Sequence, residues 1–195
     1  MVEPVSPLGE AYTPGKFAND NGDITVTLGE MRPGSIVQVA AFAGKSTALA
    51  RAVKTACGLT LAKKPGGGVV SETQSVFGIA PGRFLIIDQA EGLGETLRAA
   101  IDDKTGAVTD LSHGRTAIRV TGKRARWVLS QFFAVDFSAR ALAPGSGVST
   151  AHHEIFAQVQ RVGDDSFDVY VFRSFARSFW KDLCRAAEES GYEIS

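Results

Sequence analysis

Asp110-Leu111-Ser112-His113 stands just ahead of Arg115-Thr116-Ala117-Ile118-Arg119-Val120, with Gly122 next and a helical pattern opening at Lys123. Thr116, Ile118 and Val120 alternate with their neighbours, the period of a strand with one buried face. From Lys123 to Phe133 the apolar residues Ala125, Val128, Leu129 and Phe132 recur at helical spacing. The stretch therefore reads as strand, glycine break, helix. Downstream, strands at about 149–161 and 166–172 make a hairpin around Gly163-Asp164-Asp165. A last helix is predicted from Ser174, a good N-cap residue, to about Glu189. Phe175, Phe179, Leu183 and Ala186 share its apolar arc, opposite Arg177, Lys181, Arg185 and Glu188.

The preceding part of the chain has the same grammar. Ile24, Val26 and Leu28 alternate with polar residues, and Ser35 to Phe42 is an apolar strand after the Arg32-Pro33-Gly34 turn. A helix follows from Lys45 to Cys57, stopped by Gly58. Two strands bracket Ala80-Pro81-Gly82, and a helix carrying Leu93, Leu97 and Ile101 closes the half. Lys63-Lys64-Pro65-Gly66-Gly67-Gly68 reads as a mobile loop. Residues 1–22, rich in proline and glycine, read as an extended N-terminal arm. Two helices per half, each set among antiparallel strands, is the order of a ferredoxin-like βαββαβ module. The expected fold is α+β, with two tandem modules side by side at 23–105 and 106–195.

The run from Asp110 to Leu129, followed downstream by Phe167-Asp168-Val169-Tyr170-Val171-Phe172-Arg173-Ser174-Phe175-Ala176-Arg177-Ser178-Phe179-Trp180, resembles the folate-binding aminomethyltransferase family. Within it the run is most similar to the branch formed by gamma subunits of heterotetrameric sarcosine oxidases. The resemblance covers residues 107–192 and is faint before them. It implies tandem ferredoxin-like modules of the aminomethyltransferase folate-binding type. It also implies a complex that oxidatively demethylates sarcosine, or a related N-methyl amine, to glycine. FAD, FMN, NAD, zinc and tetrahydrofolate would then belong to alpha, beta and delta partner subunits. Enzymes of the family carry an acidic pair before a V-x-R run; setting Val159-Gln160-Arg161 on that run puts Ile155 and Phe156 at the acids. An apolar pair can neither hydrogen-bond a pterin nor act as a general base. Shifting the alignment to recruit Glu154 would turn it to the other face of the strand. The resemblance thus implies a non-catalytic subunit with no cofactor of its own. Rival readings are a stand-alone folate-dependent one-carbon transferase and a regulatory module that binds a small molecule.

Composition narrows the classes further. With 21 basic and 21 acidic residues the net charge is zero, so no global field draws the chain to nucleic acid or to an anionic membrane. The longest apolar runs fall short of the roughly 20 residues of a membrane span. Met1-Val2-Glu3-Pro4 is unlike a signal peptide. Cys57 and Cys184 stand alone and read as reduced core thiols, which places the chain in the cytoplasm.

Several motifs fail on geometry. Gly44-Lys45-Ser46-Thr47 opens a helix after a strand, but a phosphate-binding loop needs its first glycine at Val39, inside the strand. Neither Gly66-Gly67-Gly68 nor Gly92-x-Gly94 matches a dinucleotide fingerprint. His152-His153-Glu154, read as part of a strand, would point its histidines to opposite faces and so could not share a metal.

Two features point to a partner surface. Lys123, Arg124 and Arg126 crowd a helix start, where the macrodipole disfavours cations, so the cluster is either tolerated in solvent or compensated by an acidic partner. Of 17 aromatic residues, 12 follow residue 106, so some of Trp127, Phe133, Phe137, Phe172 and Trp180 should reach the surface. Trp180 lies about 140° from Phe175 by helical spacing, at the edge of the arc, where it can serve either the chain's own core or a neighbouring subunit. With Arg173, Arg177, Lys123, Arg124 and Arg126 it makes the candidate interface, while Phe175, Phe179 and Leu183 are expected in the core.

Overall fold

The computed structural model describes residues 5–195. Its strands are β1 (Gly15–Phe17), β2 (Val26–Met31), β3 (Ser35–Ala41), β4 (Gly68–Val70), β5 (Gln74–Ala80), β6 (Arg83–Asp88), β7 (Gly106–Asp110), β8 (Arg115–Thr121), β9 (Gly147–His152), β10 (Ile155–Gly163), β11 (Ser166–Phe172) and β12 (Tyr192–Ile194). Helices are α1 (Ser46–Cys57), α2 (Leu93–Ala100), α3 (Ala125–Phe132) and α4 (Ala176–Ala187). One sheet has five strands in the order β4-β5-β6-β3-β7, the other seven in the order β1-β12-β2-β8-β11-β10-β9. Setting β4 aside, the smaller sheet is ferredoxin-like, with β3, β5, β6 and β7 as its four strands. β8, β10, β11 and β12 repeat that topology in the larger sheet, with β2 inserted between β12 and β8.

The expected division at residue 105 is corrected by this pairing. β2, assigned by sequence to the first module, pairs antiparallel with β8 and parallel with β12 in the second sheet. β7, assigned to the second, closes the first sheet against β3. Nor do the modules lie side by side. The sheets pack face to face, with α1 and α2 outside one and α3 and α4 outside the other. Strand β6 shows why: Ile86 packs toward α1 and α2, while Leu85 and Ile87 face the other sheet. A strand buried on both faces reads as a continuous apolar run, as Phe84-Leu85-Ile86-Ile87 does.

Between the sheets lie Ile36, Phe77, Leu85 and Ile87 from one and Ala117 and Tyr170 from the other. The Phe77 and Tyr170 rings stack at 6.1 Å. Buried Gln160 bridges the seam: its amide nitrogen donates to the Gly145 carbonyl at 2.9 Å, and its oxygen accepts from Ser75 Oγ at 2.8 Å. Gly66, expected in a mobile loop, instead accepts a bond from Gly147 N–H at 2.7 Å and anchors that seam. Gln160→Leu should cost the isolated chain about 2–3 kcal/mol, because it strips the partners of a buried hydroxyl and carbonyl. A urea melt of the variant checks this; a shift below about 0.5 kcal/mol would show that the seam is held by apolar contact alone.

The Asp110-Leu111-Ser112-His113 run is the crossover from one sheet to the other. Asp110 Oδ1 accepts from the Ser112 backbone N–H at 3.0 Å and from its hydroxyl at 2.6 Å. Ser112 Oγ in turn accepts from Ile36 N–H at 3.0 Å, pinning the crossover to β3. Asp110 is held below the usual carboxylate range, first by the Ser112 hydroxyl. A depressed carboxylate stabilises above its unfolded pKa and loses that contribution as pH falls through its folded one. Ser112→Ala should therefore raise the Asp110 pKa toward the ordinary value, which carboxyl NMR titration reads directly.

Other elements differ from expectation in instructive ways. Residues 5–22 are docked rather than extended: Leu8 is fully buried, and β1 pairs with β12. The expected strand at 149–161 is two strands, β9 and β10, paired through a turn in which His153 has φ +50°. Ser174 lies in a 3-10 turn, Arg173–Phe175, and Phe175 is the N-cap of α4. The glycine stop of α1 stands as expected, with Gly58 at φ +74°.

Candidate partner interface

The six residues singled out by sequence do not form one surface. Arg126 is neutralised within the chain, 2.8 Å from Asp165 Oδ1 and bonded to the Asp164 carbonyl at 3.0 Å. Arg124 lies 4.1 Å above the Trp127 ring, and Lys123 is exposed. Arg173 donates to the Val5 carbonyl at 2.8 Å, and exposed Arg177 lies against Gly9. Among the described residues, no ion pair includes Lys123, Arg124, Arg173 or Arg177.

Trp180 corrects the expectation most clearly. It is 1% exposed, its ring packs 5.4 Å from Tyr12, and its Nε1 donates to the Ala11 carbonyl at 2.9 Å. Residues 8–12 cover it, so it serves this chain's own core. Phe175 is the converse: placed in the core by sequence, it is 44% exposed. Phe179 and Leu183 are buried as expected. Phe133 and Phe137, expected among the aromatics that reach the surface, are buried, whereas Phe172 is exposed.

The histidines are committed locally. His152 stacks on Phe132 at 3.6 Å, its Nδ1 lies 2.9 Å from the Phe132 carbonyl, and its Nε2 lies 3.8 Å from Asp182. Among the described residues no group of three or more His, Cys, Asp or Glu could hold a metal ion. Both cysteines are unpaired and half-buried. Burial pushes the Cys184 thiol up to about 11 and the neighbouring Tyr192 phenol up to about 12, so neither is a reactive anion at neutral pH.

The positions aligned with the family's acids are now placed. Ile155 is buried in the core beneath α3 and α4, and Phe156 is exposed on the opposite face of β10. Glu154 is exposed in the turn before them. Sequence reasoning missed the surface that Phe156 belongs to. Register sets Phe172 opposite Arg115 and places Phe156 beside Phe172, one row across three strands. The one available signal was that Phe156 and Gln158 share the face away from the helices. Arg115 itself is 7% exposed, with Nε and Nη1 covered and unbonded, and burial draws its pKa below the ordinary guanidinium value.

Residues 42–189 match the model of the family described as sarcosine oxidase, gamma subunit family. This chain belongs to that family. Similar curated members are the sarcosine oxidase subunits gamma of Corynebacterium sp. strain U-96, 28% identical over 87% of this chain and 83% of the relative, and of strain P-1, 31% identical over 88% and 82%. A chain of the heterotetrameric sarcosine oxidase from Corynebacterium sp. U-96, solved with pyrrole 2-carboxylate, superimposes with a TM-score of 0.75 at 25% identity, covering 87% of this chain and 88% of that one. The glycine cleavage system aminomethyltransferase T of Bartonella henselae shares the fold, with a TM-score of 0.62 at 15% identity. It covers 88% of this chain and 48% of the enzyme. The gamma-subunit family thus has the aminomethyltransferase-like α+β fold.

Proposed function

We propose that this chain is the non-catalytic gamma subunit of a heterotetrameric sarcosine oxidase-type complex that demethylates sarcosine, or a related N-methyl amine, to glycine. Likeness to a chain of such a complex over nearly its whole length supports this most directly. FAD, FMN, NAD, zinc and tetrahydrofolate are assigned to the alpha, beta and delta partners. In that scheme the partners' flavin would supply the oxidation of the N-methyl amine, and tetrahydrofolate would be the one-carbon acceptor.

Ile155 and Phe156 do not fit a pterin. One is packed in the core and the other is a ring on the surface, so neither supplies a carboxylate. This chain's contribution is therefore shape and contact. Among the described residues no helix is long and apolar enough to cross a membrane; we assign the complex to the cytoplasm.

Purified alone, the chain should lack flavin absorbance and sarcosine-dependent peroxide formation, and calorimetry with tetrahydrofolate should give no micromolar binding. Co-expressed with the other three subunits, it should co-elute with them. Stoichiometric flavin, or micromolar folate binding, would overturn the non-catalytic assignment and favour a stand-alone one-carbon transferase. A stable lone monomer that ignores the other subunits would favour a regulatory module instead.

A further inference from the structure

Three arginines of the larger sheet are half-buried or more, and two of them are fully matched. Arg161, 2% exposed, donates to the carbonyls of Gly163, Leu142 and Asp164 at 3.0, 3.0 and 2.9 Å. Arg119 makes a two-pronged pair with Asp168 at 2.7 and 2.8 Å, which raises its pKa. Arg115 is the exception. It is nearly as buried as Arg161, yet no side-chain hydrogen bond or ion pair satisfies it among the described residues, and its Nε and Nη1 have no acceptor. A buried, unmatched guanidinium costs stability, and the other two show that this fold supplies acceptors where the chain needs them.

What covers Arg115 is also unusual. Its guanidinium carbon sits 3.8 Å from the Phe172 ring centre and 5.8 Å from that of Phe156. Those rings lie 6.3 Å apart and are 40% and 38% exposed, so two phenylalanines are spent on solvent. A cation over aromatic faces is favourable but leaves the N–H edge needing an acceptor. Phe175, also exposed, follows three residues after Phe172, and exposed Arg173 and Arg177 flank it. Glu154 is the acid nearest in sequence to Phe156, and among the described residues no ion pair holds it. An aromatic patch around an unmatched arginine, with further cations beside it, is complementary to apolar side chains carrying a carboxylate.

We propose that the Arg115–Phe156–Phe172 row docks a segment of a partner subunit that presents a carboxylate among apolar side chains. The inference rests on the gamma-subunit reading above. The carboxylate completes Arg115 by charge-assisted hydrogen bonds, and the partner's apolar groups cover the phenylalanines.

The test uses the four-subunit complex with a tag on a partner subunit, beside thermal melts of the gamma chain alone. Arg115→Met and Phe172→Ser should each weaken capture of the gamma chain at least about tenfold. Alone, Arg115→Met should melt no lower than wild type, because the free chain loses an unmatched buried cation. Arg115→Lys, which keeps the charge, should retain more capture than Arg115→Met; equal losses would refute the carboxylate. Unchanged capture in both Arg115→Met and Phe172→Ser would overturn the docking surface. Unchanged capture with a lowered melt for Arg115→Met would place the acceptor inside the chain, where buried Gln158 Oε1 has no partner, and would also overturn it. Failure of the wild-type chain itself to be captured would instead sink the gamma-subunit reading on which the proposal stands.

Discussion

Trp180→Ala is expected to lower the unfolding free energy of the isolated chain by about 3–5 kcal/mol. For a chain of this size that is a fall in melting temperature on the order of 10 °C. The indole is the largest fully buried side chain, set on α4 under Leu8, Ala11 and Tyr12. Its removal opens a cavity and leaves the Ala11 carbonyl without its donor, loosening the arm as well as the helix. Trp180→Phe should lose less, since the ring remains and only the hydrogen bond goes. Calorimetric melts of the two variants give the ranking. A wild-type melt for Trp180→Ala, with assembly impaired, would mean that the side chain serves a partner after all.

Gly147→Ala should be nearly as damaging, at about 3 kcal/mol, for the opposite reason: it adds an atom where none fits. A Cβ at Gly147 would meet Phe77 Cε2 and Cγ at 2.7 Å, with Cδ2 nearer still. Phe77 is fully buried against Tyr170 between the sheets, so the ring has little room to yield. Combining Gly147→Ala with Phe77→Ala tests the geometry, because the added methyl then enters space vacated by the ring. The double variant should cost less than the sum of the singles by about 1 kcal/mol or more. Strict additivity in urea melts would show that Gly147 is sensitive for some reason other than Phe77.

Helices were legible because each buries one face. The apolar spacing of 49, 53, 93, 97, 125, 128, 129 and 132 translates directly into the cores beside the sheets. The strands were mostly placed, but not their partners. Nothing periodic tells Val26 that it pairs with Tyr192, or Val37 that it faces Asp110. The two-sided burial of β6 was visible as an apolar run, yet a run alone does not name what lies on each side. Trp180 was misplaced because its cover comes from residues 8–12, which belong to the 1–22 stretch whose proline and glycine content suggested an extended arm. Phe175 was misplaced because it precedes α4 in a 3-10 turn, where the advance per residue is about 120° and the helical arc does not apply. Of the basic residues, Arg126 was silenced by Asp165 across a turn, a pairing that spacing cannot reveal. Arg115 escaped notice for the same reason in reverse, since only strand register sets it beside two exposed rings.

β12 is held between β1 and β2, antiparallel to one and parallel to the other. β1 and β2 therefore wait for β12, made long after them, before either is fully paired. While residues 35–110 emerge, the smaller sheet can close on itself, because all five of its strands lie within that interval. The larger sheet cannot, and β2 keeps an edge open until β12 emerges. Sequence-distant pairing of this kind makes folding slow and leaves a sticky intermediate. The nascent chain should consequently depend on chaperones until β12 is released, and partner subunits should meet it only after that.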